Sequence, residues 1–412
     1  MTRATPMHYD VVVAGAGPAG SKAALDLAQA GVRVLLLEEH REIGTPLHCS
    51  GLVTRRTLET AGIGEWIIRH TITGSLVYSG DGLKLRLGNH QERALVIDRI
   101  GFDRWLAYQA QEQGVDLWLG TRLETIDYQA NGVALGLHTQ AGRKQVTAAL
   151  LIGADGAGSR VARFLGKHSN SDRICALGGV IALPHQADCS YVRVFVGEDI
   201  APEWFGWMIP TGDGRARIGI GAGVSSGLSQ KRLLQQLFER FPQEFQGARI
   251  LELTGGTIPL YQPIAPYGER IMLVGDAARH VKPVSGGGIR TALLGAVQSA
   301  QTAVEALGAG DFSAQFLQRY ADRCRQVMGE EFDQAHQFRK LALRLSESQR
   351  QRLLRLLAHP VFTRMLNSNG DIDFPGRMFS AFLRQKNLRS LLFSLLPPTA
   401  AVLLDDAFAP LE

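Results

Sequence analysis

The sequence predicts an α/β fold with a parallel central sheet, a β-sheet-rich cap and a helical C-terminal region. Three observations carry that prediction. Near the N-terminus an apolar strand runs into a glycine turn, a helix, a second strand and an acid, in that order. From about 166 to 265 the chain reads as strands with polar alternation. After about Gly308 the pattern turns helical and basic.

Bulk composition sets the bounds. A chain of 412 residues is long enough for two or three cores. Hydrophobic residues make up 45% and charged residues 20%, the composition of a globular protein. The formal net charge of +5 is mild for this length, and no DNA- or RNA-binding motif accompanies it, so nucleic acid is not an expected partner. Cys49, Cys175, Cys189 and Cys324 are scattered and form no CxxC pair. Neither a zinc site nor an iron–sulfur cluster is expected, and no metal. The cysteine usage suits a reducing compartment, so a cytoplasmic location is expected. No signal peptide is read before Tyr9. No run reaches the roughly 20 apolar residues that span a bilayer. The longest candidate, Leu391 to Leu404, is broken by Pro397 and Pro398.

The first element is the most informative. Tyr9 to Gly15 is short, β-branched and apolar, as a buried parallel strand should be. Gly15-Ala16-Gly17-Pro18-Ala19-Gly20 follows, then a helical pattern to Ala30 with Ala23, Ala24, Leu27 and Ala28 on its packing face. Gly31 stops the helix, and Val32 to Leu37 forms a second strand ending at Glu38. The three glycines do different things. Gly15 turns the chain off the strand, Gly17 leaves room for a pyrophosphate, and Gly20 lets helix and strand approach. Free N–H groups at the helix start bind phosphate. Glu38 stands where a carboxylate accepts from adenosine ribose hydroxyls. The element therefore predicts dinucleotide binding.

Two further strands end in glycine turns. Leu150 to Gly153 leads into Asp155-Gly156, and Arg270 to Val274 leads into Gly275-Asp276. Pro283 and Ser285-Gly286-Gly287-Gly288-Ile289 follow, opening a small-residue helix through Ala292, Gly295, Ala296 and Ala300. A strand-end Asp can bind ribityl hydroxyls, and a glycine run opening a helix can present N–H groups to a flavin's pyrimidine edge. Taken alone, Asp155 reads equally as a turn residue.

These motifs, with Arg99 in Ile97-Asp98-Arg99-Ile100-Gly101-Phe102-Asp103, resemble the glutathione-reductase-type FAD superfamily, in its aromatic hydroxylase and geranylgeranyl reductase branch. The resemblance runs from about Tyr9 to about Ala300. It implies FAD rather than NAD, and an α/β FAD-binding fold. Two segments resemble the geranylgeranyl reductase family in particular. His48-Cys49-Ser50-Gly51-Leu52 is similar to the cysteine loop that this family places beside the flavin ring. Phe205-Gly206-Trp207-Met208-Ile209-Pro210 is similar to its Tyr-x-Trp-x-Phe-Pro segment along the prenyl chain, but Phe205 replaces the Tyr and Ile209 the Phe. No proton-donor role passes to Phe205.

The resemblance implies a cofactor-binding set of Gly15, Gly17, Ala19, Gly20, Glu38, Cys49, Ser50, Gly51, Arg99, Leu123, Asp155, Gly156, Gly275, Asp276, Pro283, Gly286, Gly287, Gly288 and Ile289. Cys49 is the candidate catalytic residue, and Phe205, Trp207 and Pro210 are candidate substrate contacts. Cys49 also reads as a small buried residue, and Trp204 and Trp207 as sheet packing. His48 and His280 are assigned no catalysis.

The expected domains are a first part of the FAD-binding domain at 1–165, with cap strands inserted at about 71–95; a substrate-binding cap at 166–265; the second part of the FAD-binding domain at 266–307; and a helical region at 308–412. In that last region Leu341, Leu345, Leu353, Leu356 and Leu357 lie among Arg339, Lys340, Arg344, Arg350, Arg352 and Arg355. Phe379, Phe382 and Leu383 follow with Arg377, Arg384, Lys386 and Arg389. The stretch reads as a packed lid with a solvated face, and as the place for any peripheral contact with the inner membrane face.

The resemblance implies reduction of isolated carbon–carbon double bonds in an isoprenoid chain, on a lipid, quinone or chlorophyll precursor. The electron donor, NADPH or a ferredoxin-like protein, is left open. A flavin monooxygenase or halogenase is the runner-up. An electron-transfer flavoprotein acting on quinone is a further alternative, disfavoured by the lack of a cysteine cluster.

Overall fold

The structure, a computed structural model, describes residues 7–169, 171–183 and 188–378. The central sheet runs in the order Tyr267–Gly268, Ile271–Leu273, Gly142–Gly153, Met7–Ala14, Val34–Leu37, Asp116–Trp118. Its five strands from Ile271–Leu273 onward are parallel to their neighbours. They read as unbroken apolar runs because both faces are covered. On one face Val11, Val13, Leu36 and Ile152 pack with the helices Pro18–Gln29 and Ile289–Ala309. Alanines at 23, 24, 292, 296 and 300 line that contact, so these helices come close together. On the other face Val12, Leu35, Leu37 and Leu151 lie against side chains of Arg122–Gln129 and Gly132–Thr139, an antiparallel extension of the sheet.

A second sheet of seven strands has the order Arg249–Pro259, Arg173–Ala182, Arg215–Gly223, Phe205–Pro210, Tyr191–Val196, Gly74–Ser79, Lys84–Gly88. Its alternation separates two faces. Phe195, Met208, Ile218 and Ile220 bury against Leu233, Leu234 and Leu237 of the helix Gln230–Arg240. Val194, Trp207, Ile209 and Arg217 stand on the opposite face. Around the stretch 71–95 the chain divides between two sheets. Gly74–Ser79 and Lys84–Gly88 join this sheet, but Ile68–Ile72 and Ala94–Ile97 pair with each other. With Leu52–Val53 they form a third sheet of three strands. The reason is burial: Ile72, Ala94 and Val96 share one apolar cluster with Val192 and Ile209 beneath the larger sheet.

The C-terminal helices Ala314–Cys324, Glu330–Arg344, Glu347–Leu357 and Pro360–Asn369 pack onto both halves. Leu317, Tyr320 and Phe332 join the core of the central sheet, and Leu345 is buried. The expectations for Phe379, Phe382, Leu383, Arg384, Lys386, Arg389 and the Leu391 to Leu404 run lie outside the described residues. Among the described residues no helix is long and apolar enough to cross a membrane.

Candidate active site

The glycine turn has the geometry its sequence demands. Gly15 has φ +105°, a conformation that favours glycine. A Cβ on Gly20 would collide with the Gly15 carbonyl, while one on Gly17 would meet nothing within 4 Å. Gly17 thus faces open space at the start of Pro18–Gln29. Glu38 closes the turn: Oε2 accepts from the Ala16 amide (3.1 Å) and Oε1 from the His40 amide (2.9 Å). Asp155 is held within its own turn. Its carboxylate accepts from Ser159 Oγ (2.5 Å) and the Arg160 and Val161 amides (2.6 and 3.2 Å). That is the turn role.

Arg99 owes its position to Asp98, which caps the helix Arg99–Glu112 by accepting from the Gly101 amide (2.9 Å). One turn on, Asp103 pairs with Arg99 in a buried site. Burial and the Asp103 and Cys49 side chains act on the Arg99 guanidinium, and the net effect is to raise its pKa. Asp276 also faces Arg99. Burial pushes its carboxyl up to about 6 against that attraction. Arg99 Nε and Asp103 Oδ1 are buried with no partner in the protein.

Cys49 is half-buried, and its Sγ accepts from the Gly51 amide at 3.4 Å. Arg217 anchors this loop, donating to the carbonyls of Ser50 (2.6 Å) and Ile97 (3.0 Å). Gly51, at φ +62°, lies so close to Arg217 that any Cβ would strike the guanidinium. Burial lowers the Arg217 pKa. A narrow cleft brings His48, Cys49 and Ser50 together with Trp207, Arg217 and Thr254. Trp207 fits there because its strand neighbour is Gly219, where a side chain would collide with the indole. His48 Nδ1 lies 2.7 Å from Thr254 Oγ1, a structural bond.

Two of the three proposed substrate contacts do not line this cleft. Phe205 stacks on Trp204 (centroids 4.7 Å apart), and Pro210 is buried at its strand end. Strand alternation and local stacking decide that. Leu123 is buried against Leu137 in the central core, so its side chain packs rather than facing open space.

The glycine loop after Pro283 is held from an unforeseen side. Lys282 and Asp373 are 6% and 3% exposed and pair at 2.9 Å. The Lys282 amide donates to the Gly287 carbonyl, and its own carbonyl accepts from the Gly286 amide (both 3.0 Å). Asp373 also accepts from Thr54 Oγ1 (2.6 Å), just past the Cys49 loop. Asp103, Arg217, Lys282 and Asp373 were missing from the sequence-derived set. Only Asp103 had a visible signal, its four-residue spacing from Arg99.

The residues fit a dinucleotide flavin. The glycine turn leaves room above a helix start, Glu38 stands at the second strand's end, and Arg99 faces both Asp103 and Asp276, with buried atoms of Arg99 and Asp103 left unpaired. Residues 8–219 match the family of the FAD binding domain. A digeranylgeranylglycerophospholipid reductase of Methanopyrus kandleri is 35% identical over 343 residues, 80% of this chain and 90% of the relative. The chain belongs to the geranylgeranyl reductase family of FAD-dependent oxidoreductases. A geranylgeranyl bacteriochlorophyll reductase-like protein of Thermoplasma acidophilum superposes with a TM-score of 0.83 at 26% identity, covering 95% of this chain and 100% of its own. The p-nitrophenol 4-monooxygenase of Pseudomonas putida shares the fold alone, at a TM-score of 0.69 and 18% identity, over 95% of this chain and 98% of its own.

Proposed function

We propose that this protein reduces isolated double bonds in the geranylgeranyl chains of a membrane-lipid precursor. The observation that carries this reading is the cleft joining Cys49, Trp207 and Arg217 across the cofactor half and the larger sheet. Relatives named digeranylgeranylglycerophospholipid reductases support the lipid as substrate class. In this reading 166–265, with the strands inserted at about 71–95, caps the ring end of the flavin.

A trisubstituted alkene offers no carbonyl to polarise, so catalysis rests on alignment and on a proton source. Bound and reduced, FAD supplies the hydride. Gly17, Gly20, Glu38, Arg99, Asp276 and the Gly286–Gly288 loop hold the cofactor. Arg217 fixes the Cys49 loop through Ser50, and the Cys49 thiol delivers the proton to the second alkene carbon or shapes the ring face. Trp207 walls the cleft and keeps water from the alkene.

The chain of the lipid needs an apolar channel. A cavity of about 500 Å³ has Leu52, Ile72, Leu87, Ala94 and Val192 among its walls. That is within the ~300–1,000 Å³ usual for ligand pockets. Ile72, Ala94 and Val192 pack in one apolar cluster with Trp207, so that cluster borders both this cavity and the cleft. NADPH or a ferredoxin supplies the electrons, and the protein meets its lipid at the inner membrane face.

The deciding experiment reduces purified protein with dithionite under anaerobic conditions and presents geranylgeranyl lipids. Mass spectrometry should show hydrogen gained in pairs. Oxygen-dependent hydroxylated or halogenated product instead would establish the monooxygenase or halogenase reading.

A further inference from the structure

Trp204 stands where three parts of the fold meet. It leads into the strand Phe205–Pro210 of the larger sheet, and Phe205 stacks on it. The outer ring of the indole touches the glycine loop: a Cβ on Gly286 would come within 3.0 Å of Trp204 Cζ2. Over the ring face, the Arg339 guanidinium of the helix Glu330–Arg344 stands 5.2 Å from the centroid. Indole and guanidinium are 8% and 7% exposed. One buried side chain thus links the helical region, the larger sheet and the Gly286–Gly288 loop.

Space-filling alone does not account for this pair. Among the described residues Arg339 makes no salt bridge; Nη1 donates to the Glu203 carbonyl (3.0 Å), and Nε is buried without a partner. Asp172 and Glu203 attract the guanidinium, but burial outweighs them and lowers its pKa. A leucine would fill the position without desolvating a charge. The indole face offsets that cost, because a desolvated guanidinium over Trp is a strong cation–π pair. The indole carries a cost of its own, since its Nε1–H is buried without a partner among the described residues. A phenyl ring would stack on Phe205 without that donor. What only the indole supplies is the reach of its outer ring to Gly286. Glu203, just before it, sits at φ +61°, a left-handed conformation that a side chain adopts at a cost and that persists where the surroundings hold it.

We propose that Trp204 and Arg339 are positioning residues for the flavin: the cation fixes the indole, and the outer ring of the indole backs the Gly286–Gly288 loop against the cofactor. The inference rests on the reading in which that loop holds FAD, and not on the alkene as substrate. The helical region thereby acts on the cofactor through the loop. Its cation, one indole away from that loop, also favours the electron-rich reduced flavin.

The test uses the FAD-loaded protein and reads the visible circular dichroism of the flavin, which reports its asymmetric surroundings, together with its reduction potential. Trp204→Phe keeps a ring for Arg339 and Phe205 but does not reach Gly286. Its dichroism should change, and FAD should bind about tenfold more weakly, for a lost apolar contact equivalent to about two methylenes. Arg339→Leu should change the dichroism and lower the potential. Arg339→Lys, whose ammonium also lies over an indole face, should restore both toward wild type. Trp204→Phe leaves the polar contact of Arg339 in place, so it decides the question if Arg339→Leu does not fold. Wild-type dichroism and potential in the Trp204 and Arg339 variants, with no more than a lower thermal midpoint, would reduce the stack to packing and overturn the proposal. Gly287→Ala separates that failure from failure of the loop reading. A Cβ there meets only the Ser285 and Lys282 side chains, at 3.5 Å or more, so the protein accommodates it. A methyl beside the flavin should alter dichroism and FAD affinity. Altered values in Gly287→Ala alone overturn this proposal and keep the loop reading, whereas wild-type values in Gly287→Ala overturn both.

Discussion

At the scale of single residues, Cys49 carries the sharpest expectation. It lines the cleft with Trp207, and its loop is pinned by Arg217. Cys49→Ser keeps the size and a donor, so FAD content and spectrum should survive. A hydroxyl is a far weaker acid than a thiol, and general acids contribute about 10²–10⁴-fold. Single-turnover alkene reduction should therefore slow by about that range in Cys49→Ser and by as much or more in Cys49→Ala. Normal rates in both variants would mean that Cys49 only packs.

Asp276 makes a second expectation, in the FAD-stripped protein. Burial raises its carboxyl to about 6, above its unfolded value, so the folded state binds that proton more tightly. Its contribution is fully present below the unfolded pKa and is lost as pH rises through about 6. The loss amounts to about 3 kcal/mol. His280, pushed down to about 4 by burial, acts in the opposite sense and costs stability as pH falls from its ordinary value. The two slopes oppose each other, so wild-type stability alone is a poor readout. Asp276→Asn isolates the first. Its stability advantage over wild type, from urea unfolding, should be larger at pH 7 than at pH 4.5. A constant difference would mean that the carboxyl titrates normally.

At the scale of elements, the C-terminal helices do more than cover the core. The segment after Pro360–Asn369 brings Asp373 against Lys282 and Thr54, each beside a loop of the candidate site. Arg56 and Arg290 approach the same carboxylate at 3.4 and 3.7 Å. Removing one member of a buried ion pair costs about 3–5 kcal/mol, because the remaining charge stays desolvated. Asp373→Asn should lower the thermal midpoint and weaken FAD binding, measured by flavin fluorescence. Replacing Lys282 and Asp373 together with Met and Leu should recover part of the stability. Unchanged FAD affinity in Asp373→Asn would confine the pair to a packing role.

At the scale of the whole molecule, charge on the C-terminal region sets the expectation for any contact with a lipid surface. Several of its cations are already committed. Arg350 pairs with Glu198 (2.8 Å), Arg355 with Asp81 (2.6 Å), and Arg339 lies buried over Trp204. These contacts support the lid reading of that stretch and leave less charge for a membrane. Peripheral association with anionic vesicles should therefore be weak and strongly salt-sensitive. Co-sedimentation at low ionic strength that disappears by about 0.15 M salt is the expected result. No binding at low salt would leave the region as a lid alone.

What the sequence determined by itself is the local chemistry. Strand, glycines, helix and Glu38 were legible because each is set by backbone sterics or helix geometry within about thirty residues. The strands Tyr191–Val196 and Arg215–Gly223 were legible from alternation, and Arg99 and Cys49 from family resemblance. Tertiary structure alone decided which distant groups meet. Nothing in the spacing of Arg217 or Asp373 ties them to the flavin motifs, and although Lys282 adjoins the glycine loop, its ion-pair partner lies 91 positions away. Sequence also could not say that the face of Phe205–Pro210 carrying Trp207 is the one that reaches the cleft, because strand alternation defines two faces without naming the one that lines it. That choice follows from which face the helix Gln230–Arg240 covers, and burial of its three leucines settles it.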